Sequence, residues 1–483
     1  MYKVILGKDG FRKGLNLYMH RHDGTCATCD DFRKSMADAN HIDLDHFALW
    51  YSTAGTPTIS YRYSYDEEQK KFALTLTQNL EHSPNVLLHI PVAVGLLDKT
   101  TGEEVVPTRT LELKNRTETF EFNGLDHDVV LSLLRDFSAP VILEAEDPAR
   151  EDEMLPFLAT YDTDDFQKWE AIQKLYTLCI FKIMRGDDVS DVIESVFKAF
   201  HYTLKDPTID PASKSYLLNL PTESILSRQL EEENPDGVHL SRKELGRRIQ
   251  KEYRAEIRQS YDELTLSMSD GKTRTDTNSR ATRALRNVLL DYLCYVDDNP
   301  EEQHEAAALS VMHFDTATCI TDRLAAFRKL SSMTGPVADA RDEVTEKFYQ
   351  FAKDKDPIVM NKWFQTQALS DLPDVLDRVK ALTRHPDFKA TNAGRFRSLI
   401  TSFTMNPKAF HCEDGYKFVG SIATQIDTVA PQLAVELANK LGAWHRQNPT
   451  RASLMKAELR RIGLSKRISP VLSVAVQKAL SKR

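Results

Sequence analysis

The sequence predicts a mostly α, multi-domain protein in which a β-sandwich separates a short helical start from a long helical array. Three observations carry this. Side-chain periodicity changes from helical to two at Gly55-Thr56-Pro57, and it returns to helical after the acidic segment Glu144 to Glu153. From there to the end, Pro and Gly punctuate helical stripes at intervals.

In the first 52 residues, Phe11, Leu15, Tyr18, Met19 and His22 share one helix face, and Gly24 ends that helix. Thr28 with Asp31 has the pattern of a capping box opening a second helix through Phe32, Met36 and Ala39. Asp43 is positioned to cap a third, with Leu44, Phe47, Trp50 and Tyr51 as its inner face. The apolar residues of this segment predict that residues 1 to about 40 are locally unstable if they have few partners, because an exposed apolar patch is a partner surface or a liability.

The β region follows. Ile59, Tyr61, Tyr63 and Tyr65 alternate with polar residues, as do Phe72, Leu74 and Leu76. Leu88, Ile90, Val92, Val94 and Leu96 form another run, and Leu111 with Leu113, Phe120 with Phe122, and Val141 to Leu143 add shorter ones. Turn chemistry at Ser83-Pro84-Asn85, Lys99 to Gly102 and Asn123-Gly124 separates them. Short alternating strands at this spacing predict a sandwich over 53–145. His89, between Leu88 and Ile90, is expected on its surface.

Residues 155–483 read as successive helices. Val192, Ile193, Val196, Phe197 and Phe200 share one stripe, and Val288, Leu289, Tyr292, Leu293 and Val296 another. Asn234-Pro235, Asn299-Pro300, Asp356-Pro357, Asn406-Pro407 and Asn448-Pro449 are among the breaks, where Pro is expected to end a helix at the preceding residue. So many short helices fit an α-solenoid better than one bundle, although no strict repeat is found.

Composition narrows function. The 483 residues carry 63 basic and 71 acidic side chains, a net charge of −8, which argues against a general nucleic-acid binder. Cys26, Cys29, Cys179, Cys294, Cys319 and Cys412 are too sparse for a disulfide scaffold and predict a reducing, cytoplasmic setting. The apolar run Val4 to Leu6 is too short for a signal-peptide core, and no stretch is long enough to span a membrane.

Three near-motifs fail. Asp270-Gly271-Lys272-Thr273 ends like a phosphate-binding loop, but Leu266 stands where the motif needs its first Gly. Cys26-Ala27-Thr28-Cys29 has no second pair for zinc and no βαβ setting for redox work. His304-Glu305 begins a zinc-protease motif, but Ala308 replaces the second imidazole and leaves an exposed helix start. Neither a nucleophile elbow nor a dinucleotide loop is present, so no catalytic residue, metal ligand or cofactor site is expected.

The order and spacing of several segments nevertheless point to a family. They are Arg21-His22-Asp23-Gly24, Ala27 to Phe32, Trp50-Tyr51-Ser52, Ala54 to Pro57, Leu88 to Pro91, Phe137 to Val141, Asp165-Phe166 with Trp169 to Ala171, and Leu285-Arg286-Asn287. Asn361 to Phe364, Arg395 to Ile400, Asn406-Pro407, Phe410-His411 and Glu413 to Gly415 continue the series. With these segments the chain resembles the C-terminal part of the aminopeptidase N family, the alanyl aminopeptidase group of zinc metallopeptidases.

The resemblance implies that 1–52 are the last helices of a thermolysin-like catalytic domain, 53–145 an Ig-like sandwich, and 155–483 a HEAT- or armadillo-like superhelix. It also implies that the family's zinc ligands, general base and amine-gripping strand match nothing here. The expected role is therefore a non-catalytic part that shapes and caps a peptide-trimming chamber. Zinc is expected only with the missing catalytic portion, which is itself the expected partner along with peptides. By resemblance Arg397 and Gln432 face the chamber, and Glu436 stands where relatives carry an Arg, reversing a charge. Arg395 and Arg397 are two apart and cannot share a helix face, so at most one points inward. The alternative is a free-standing scaffold that binds peptides or proteins in the concavity of the array.

Overall fold

The computed structural model describes residues 1–268, 275–296 and 299–482. The near-motif Asp270 to Thr273 lies outside the described residues. The chain divides into two compact units, residues 1–176 with 194–203, and residues 177–193 with 204–483.

The first unit opens on two helices, α1 (Tyr2–His22) and α2 (Cys29–Asn40). The first begins well before Phe11 and bends at Gly7, whose φ of 69° is open to Gly at no steric cost. The capping box forms as expected: Thr28 Oγ1 accepts from the Asp31 amide at 3.2 Å, and Asp31 Oδ2 accepts from the Thr28 amide at 2.9 Å. Met36, Leu44 and Phe47 are fully buried, and Tyr2, Ile5, Leu6, Phe11, Leu15 and Phe32 pack round them half-buried. Met19 and Tyr51, expected on inner faces, are exposed; the Tyr51 hydroxyl instead lies 3.1 Å from that of Tyr2. The two helices thus have partners in one another, more than the sequence reading allowed. Gly14 is nevertheless the one fully buried residue of α1. Its amides are therefore expected to exchange faster than those of the sandwich strands, and hydrogen-exchange mass spectrometry checks this.

Seven strands form the sandwich: β1 (Thr58–Asp66), β2 (Lys71–Asn79), β3 (Ile90–Asp98), β4 (Glu104–Leu113), β5 (Thr117–Asn123), β6 (Val129–Leu133) and β7 (Ile142–Ala145). One sheet has the order β5-β2-β1-β7 and the other β4-β3-β6. Pairing is antiparallel except that β7 lies parallel to β1 at the edge. Ile59, Phe72, Leu74 and Leu76 from one sheet meet Ile90, Val92, Val94, Leu96, Leu111 and Leu113 from the other. The sequence reading missed β6, since all five of its residues are buried and a strand covered on both faces shows no alternation.

His89 is a correction. It is 2% exposed, with its ring 6.0 Å from that of His46 and 6.1 Å from that of Phe47, and its Nε2 3.0 Å from the Glu112 carboxylate. Trp50 Nε1 donates to its carbonyl at 2.9 Å. The segment 46–50 therefore covers what alternation assigned to solvent. Burial, helped by Lys114, lowers the His89 pKa below the usual range.

The turn after β6 holds Leu134, Asp136 and Phe137 at φ values of 63°, 53° and 48°, a region that disfavours side chains. Local partners hold it there. Ser138 Oγ accepts from the Ala93 amide at 2.9 Å, Ala139 is fully buried, and the Asp136 amide donates to Asp164.

In the second unit, sequence neighbours are space neighbours, as in a repeat array. The helix Thr277–Leu293 packs on Pro235–Ser267, Pro300–Thr316 on Ile320–Leu330, and Glu413–Ile426 on Pro431–Leu441. The Asn-Pro and Asp-Pro breaks start helices rather than only ending them. Asn234, Asn299, Asp356 and Asn448 are N-caps with Pro in the first turn, and their side chains accept from the amides of Gly237, Glu301, Ile358 and Arg451. Proline suits that position because its missing N–H would be unpaired there anyway. Replacing Asn448 with Ala is expected to destabilise the second unit by about 1 kcal/mol, read by urea unfolding.

Candidate functional site

Arg397 follows the short helix Ala393–Phe396 at the start of a wider, π-type turn, Arg397–Thr401. Ser402 donates to the Arg397 carbonyl through its backbone amide and, at 3.1 Å, through its hydroxyl. Such turns insert one residue and re-aim the side chains around it.

Arg395 and Arg397 are separated by this geometry as their spacing requires. Arg395 is 8% exposed and lies over the Phe364 ring, 5.0 Å from its centroid, and burial pulls its pKa below the ordinary arginine value. Arg397 stays half exposed. Its Nε donates to Glu436 Oε2 at 3.0 Å, and its Nη2 also reaches that carboxylate. Two parallel donors fix both side chains in one plane. Glu436 thus meets Arg397 directly and offsets its charge. An ion pair this exposed contributes about 0–1 kcal/mol to stability, so its consequence is for the charge the face presents.

Gln432 and Glu436 lie on the helix Pro431–Leu441, four residues apart and so on one face. Gln432 is exposed. The three residues named from sequence therefore make one polar surface, with Arg397 and Glu436 in contact and Gln432 one helical turn away.

Sequence reasoning missed a seam in the same unit. Residues 227–236, early in the array, meet residues 446–451, near its end. The Glu233 amide donates to the Arg446 carbonyl at 2.7 Å, and Gln447 Nε2 donates to Glu233 Oε2 at 2.5 Å. Arg446 Nη2 donates to the carbonyls of Ser227 and Leu230 at 3.0 and 3.1 Å, and Arg451 pairs with Asp236. Asn448-Pro449 lies in it, but the sequence reading took that pair as the end of a helix, and nothing local shows what the helix it starts would meet.

His411 sits beside this seam. Burial and then the nearby Arg451 lower its pKa to about 4. A histidine whose folded pKa lies below its unfolded value contributes full stability above the unfolded pKa, near 6.5, and loses it as pH falls toward the folded one. The stability difference between the protein and its His411→Gln variant is therefore expected to change between pH 6.5 and 4 and to be flat from pH 7 to 8. Paired urea titrations measure it.

The remaining sites behave as plain structure. Cys26 and Cys29 are exposed, and none of the six cysteines is disulfide-bonded. His304 is exposed, its Nδ1 2.7 Å from the Pro300 carbonyl. Among the described residues no three His, Cys, Asp or Glu side chains are placed to hold a metal ion, and no helix is long and apolar enough to cross a membrane.

Comparison with known proteins agrees with this architecture. Residues 55–146 match a domain of unknown function with an Ig-like fold (DUF3458), and residues 152–481 match one of ARM repeats (DUF3458_C). Aminopeptidase N of Escherichia coli K12 is 33% identical over 501 residues, covering 100% of this chain and 55% of that protein. Aminopeptidase N of Caulobacter vibrioides is 34% identical, covering 99% and 55%. A crystal structure of Legionella pneumophila aminopeptidase A in complex with aspartic acid superimposes with a TM-score of 0.82 at 25% identity, covering 99% of this chain and 55% of that one. The chain thus spans about half the length of the curated relatives it matches. It belongs to the DUF3458_C ARM-repeat family, preceded by the matching Ig-like domain, and is similar throughout to a C-terminal portion of proteins named aminopeptidase N.

Proposed function

We propose that this chain is the non-catalytic C-terminal part of an aminopeptidase, which shapes and caps the chamber where residues are removed from peptide N-termini. Arg397 and Gln432 would line that chamber, and Glu436 would set its charge. The observation that supports this most is full-length similarity to two aminopeptidases N, each matched over 55% of its length. The exposed Arg397–Glu436 pair beside Gln432 adds a polar surface suited to peptide main chain and termini. Zinc, a general base and a grip on the substrate amine would be supplied by a catalytic portion outside these residues. A cytoplasmic setting is consistent with six cysteines that form no disulfide.

The test joins residues 1–483 to the catalytic portion of an aminopeptidase N relative. The chain alone is expected to hydrolyse no alanyl anilide, and the joined protein to trim tetrapeptides with a lower KM than the catalytic portion alone. Glu436→Gln, which frees Arg397, is expected to shift tetrapeptide KM by about two- to tenfold, a change of 0.4–1.4 kcal/mol, while the single-residue anilide stays unchanged. Equal KM values with and without the chain would overturn the proposal. Tight peptide binding by the chain alone, with no effect on trimming, would favour a free-standing scaffold.

A further inference from the structure

The seam in the second unit encloses a pocket of about 310 Å³, at the small end of the range for ligand sites. Its walls come from three separate stretches, 223–235, 404–411 and 440–455. The charges around it are unequal. Glu223 is engaged by His239 Nδ1 at 2.8 Å, and Glu233 by Arg446 and Gln447. Arg228 and Lys440, both exposed and both lining the pocket, have no carboxylate partner among the described residues. His411, also in the wall, is kept uncharged at neutral pH by burial and Arg451, so it adds nothing to the balance.

Two further features bear on what could sit there. Gln447 is 6% exposed, and its Oε1 has no hydrogen-bond partner among the described residues. A buried acceptor in that state is costly until an N–H donor reaches it. Phe410 and Met455 are 2% and 1% exposed, and Met405, 52% exposed, stands at the surface, so the pocket also has an apolar wall. A cationic edge, a donor-seeking amide and an apolar wall are together the complement of a peptide's last residue. Its carboxylate is the anion, its amide the donor and its side chain the apolar group.

We infer that this pocket binds the free carboxy terminus of a peptide, with Arg228 and Lys440 facing the carboxylate and an apolar last side chain against Phe410 and Met455. The choice of a peptide rests on the reading above; the anionic and apolar requirements stand on the pocket itself.

Calorimetry on the 483-residue chain tests this with acetyl-Ala-Ala-Leu as free acid and as C-terminal amide. Neither has a free amine, so amino-terminal recognition cannot contribute. The acid is expected to bind and the amide to bind about tenfold more weakly, as the loss of charge-assisted hydrogen bonds implies. The double variant Arg228→Ala/Lys440→Ala alters two exposed side chains and should keep its circular dichroism. It is expected to bind the acid about tenfold more weakly and the amide unchanged. Four results would each overturn the proposal: no acid binding up to about 1 mM, equal affinity for acid and amide, a double variant that binds like the parent, or displacement by inorganic phosphate at the peptide's own concentration. A chain that binds the acid yet changes nothing in a joined aminopeptidase would uphold this site and overturn the chamber role.

Discussion

Replacing Arg135 with Met is expected to destabilise the first unit by about 3–5 kcal/mol, the range for breaking a buried ion pair from one side. The side chain is 1% exposed, yet each of its three nitrogens has partners. Nε donates to Ser132 Oγ at 2.8 Å, Nη1 to Glu104 Oε1 at 2.5 Å and Thr108 Oγ1 at 2.8 Å, and Nη2 to Asp162 Oδ1 at 2.9 Å and Thr163 Oγ1 at 3.1 Å. These partners come from β4, from β6 and from the segment after the helix Pro148–Tyr161, so one guanidinium ties the sandwich to residues 162–163.

Methionine fills similar space but leaves Asp162, itself fully buried, without its cation. Lysine is expected to rescue little, because one ammonium cannot reproduce donors in a planar fork. Gly95 offers an independent check. A Cβ there would fall 2.5 Å from Arg135 Cζ, so Gly95→Ala forces the guanidinium aside. The double variant Gly95→Ala/Arg135→Met should then cost clearly less than the sum of the singles, since the clash vanishes with the arginine. Hydrogen exchange in β3, β4 and β6, with urea unfolding, reads both effects. Additive costs would mean that Gly95 and Arg135 act independently.

Asp322→Ala is expected to cost the second unit a similar amount, about 3–5 kcal/mol. Asp322 is 1% exposed on the helix Ile320–Leu330 and receives Arg286 Nη2 at 2.5 Å and Asn287 Nδ2 at 3.1 Å, both from the helix Thr277–Leu293. Removing the carboxylate strands an arginine that is itself 6% exposed. Asp322→Asn keeps an acceptor but not the charge, so an intermediate loss is expected. Surface pairs such as Lys347 with Glu343 provide the control, since their removal should change stability by less than about 1 kcal/mol. Urea unfolding followed by tryptophan fluorescence measures the series. A loss at Asp322 no larger than at Glu343 would show that the buried pair contributes little.

These two arginines show where sequence reading reaches and where it stops. Leu285-Arg286-Asn287 was legible as a mark of a family but not as a physical device, and Arg135, two residues before the marked segment Phe137 to Val141, was not singled out at all. Apart from Ser132, their partners lie 27 to 36 residues away, on other elements. The alternating strands, the Thr28–Asp31 capping box and the helical stripes could be read directly. Each is a local pattern, set by the two-residue period of a strand, the 3.6-residue period of a helix, or one side chain reaching a nearby amide.

Where burial was two-sided or came from a distant segment, local pattern failed. All of β6 is buried and therefore does not alternate, and His89 is covered by residues more than 35 positions earlier. The candidate site divides the same way. Resemblance named Arg397, Gln432 and Glu436, and the helix Pro431–Leu441 puts the last two on one face. Only the tertiary structure set Arg397 against Glu436, because that contact depends on a wider turn at Arg397 and on the packing of separate helices. The seam and its pocket depend on it entirely. They join residues some 215 positions apart, and a contact at that separation leaves no period, cap or turn signal in any short stretch of sequence, because those signals come only from neighbours along the chain.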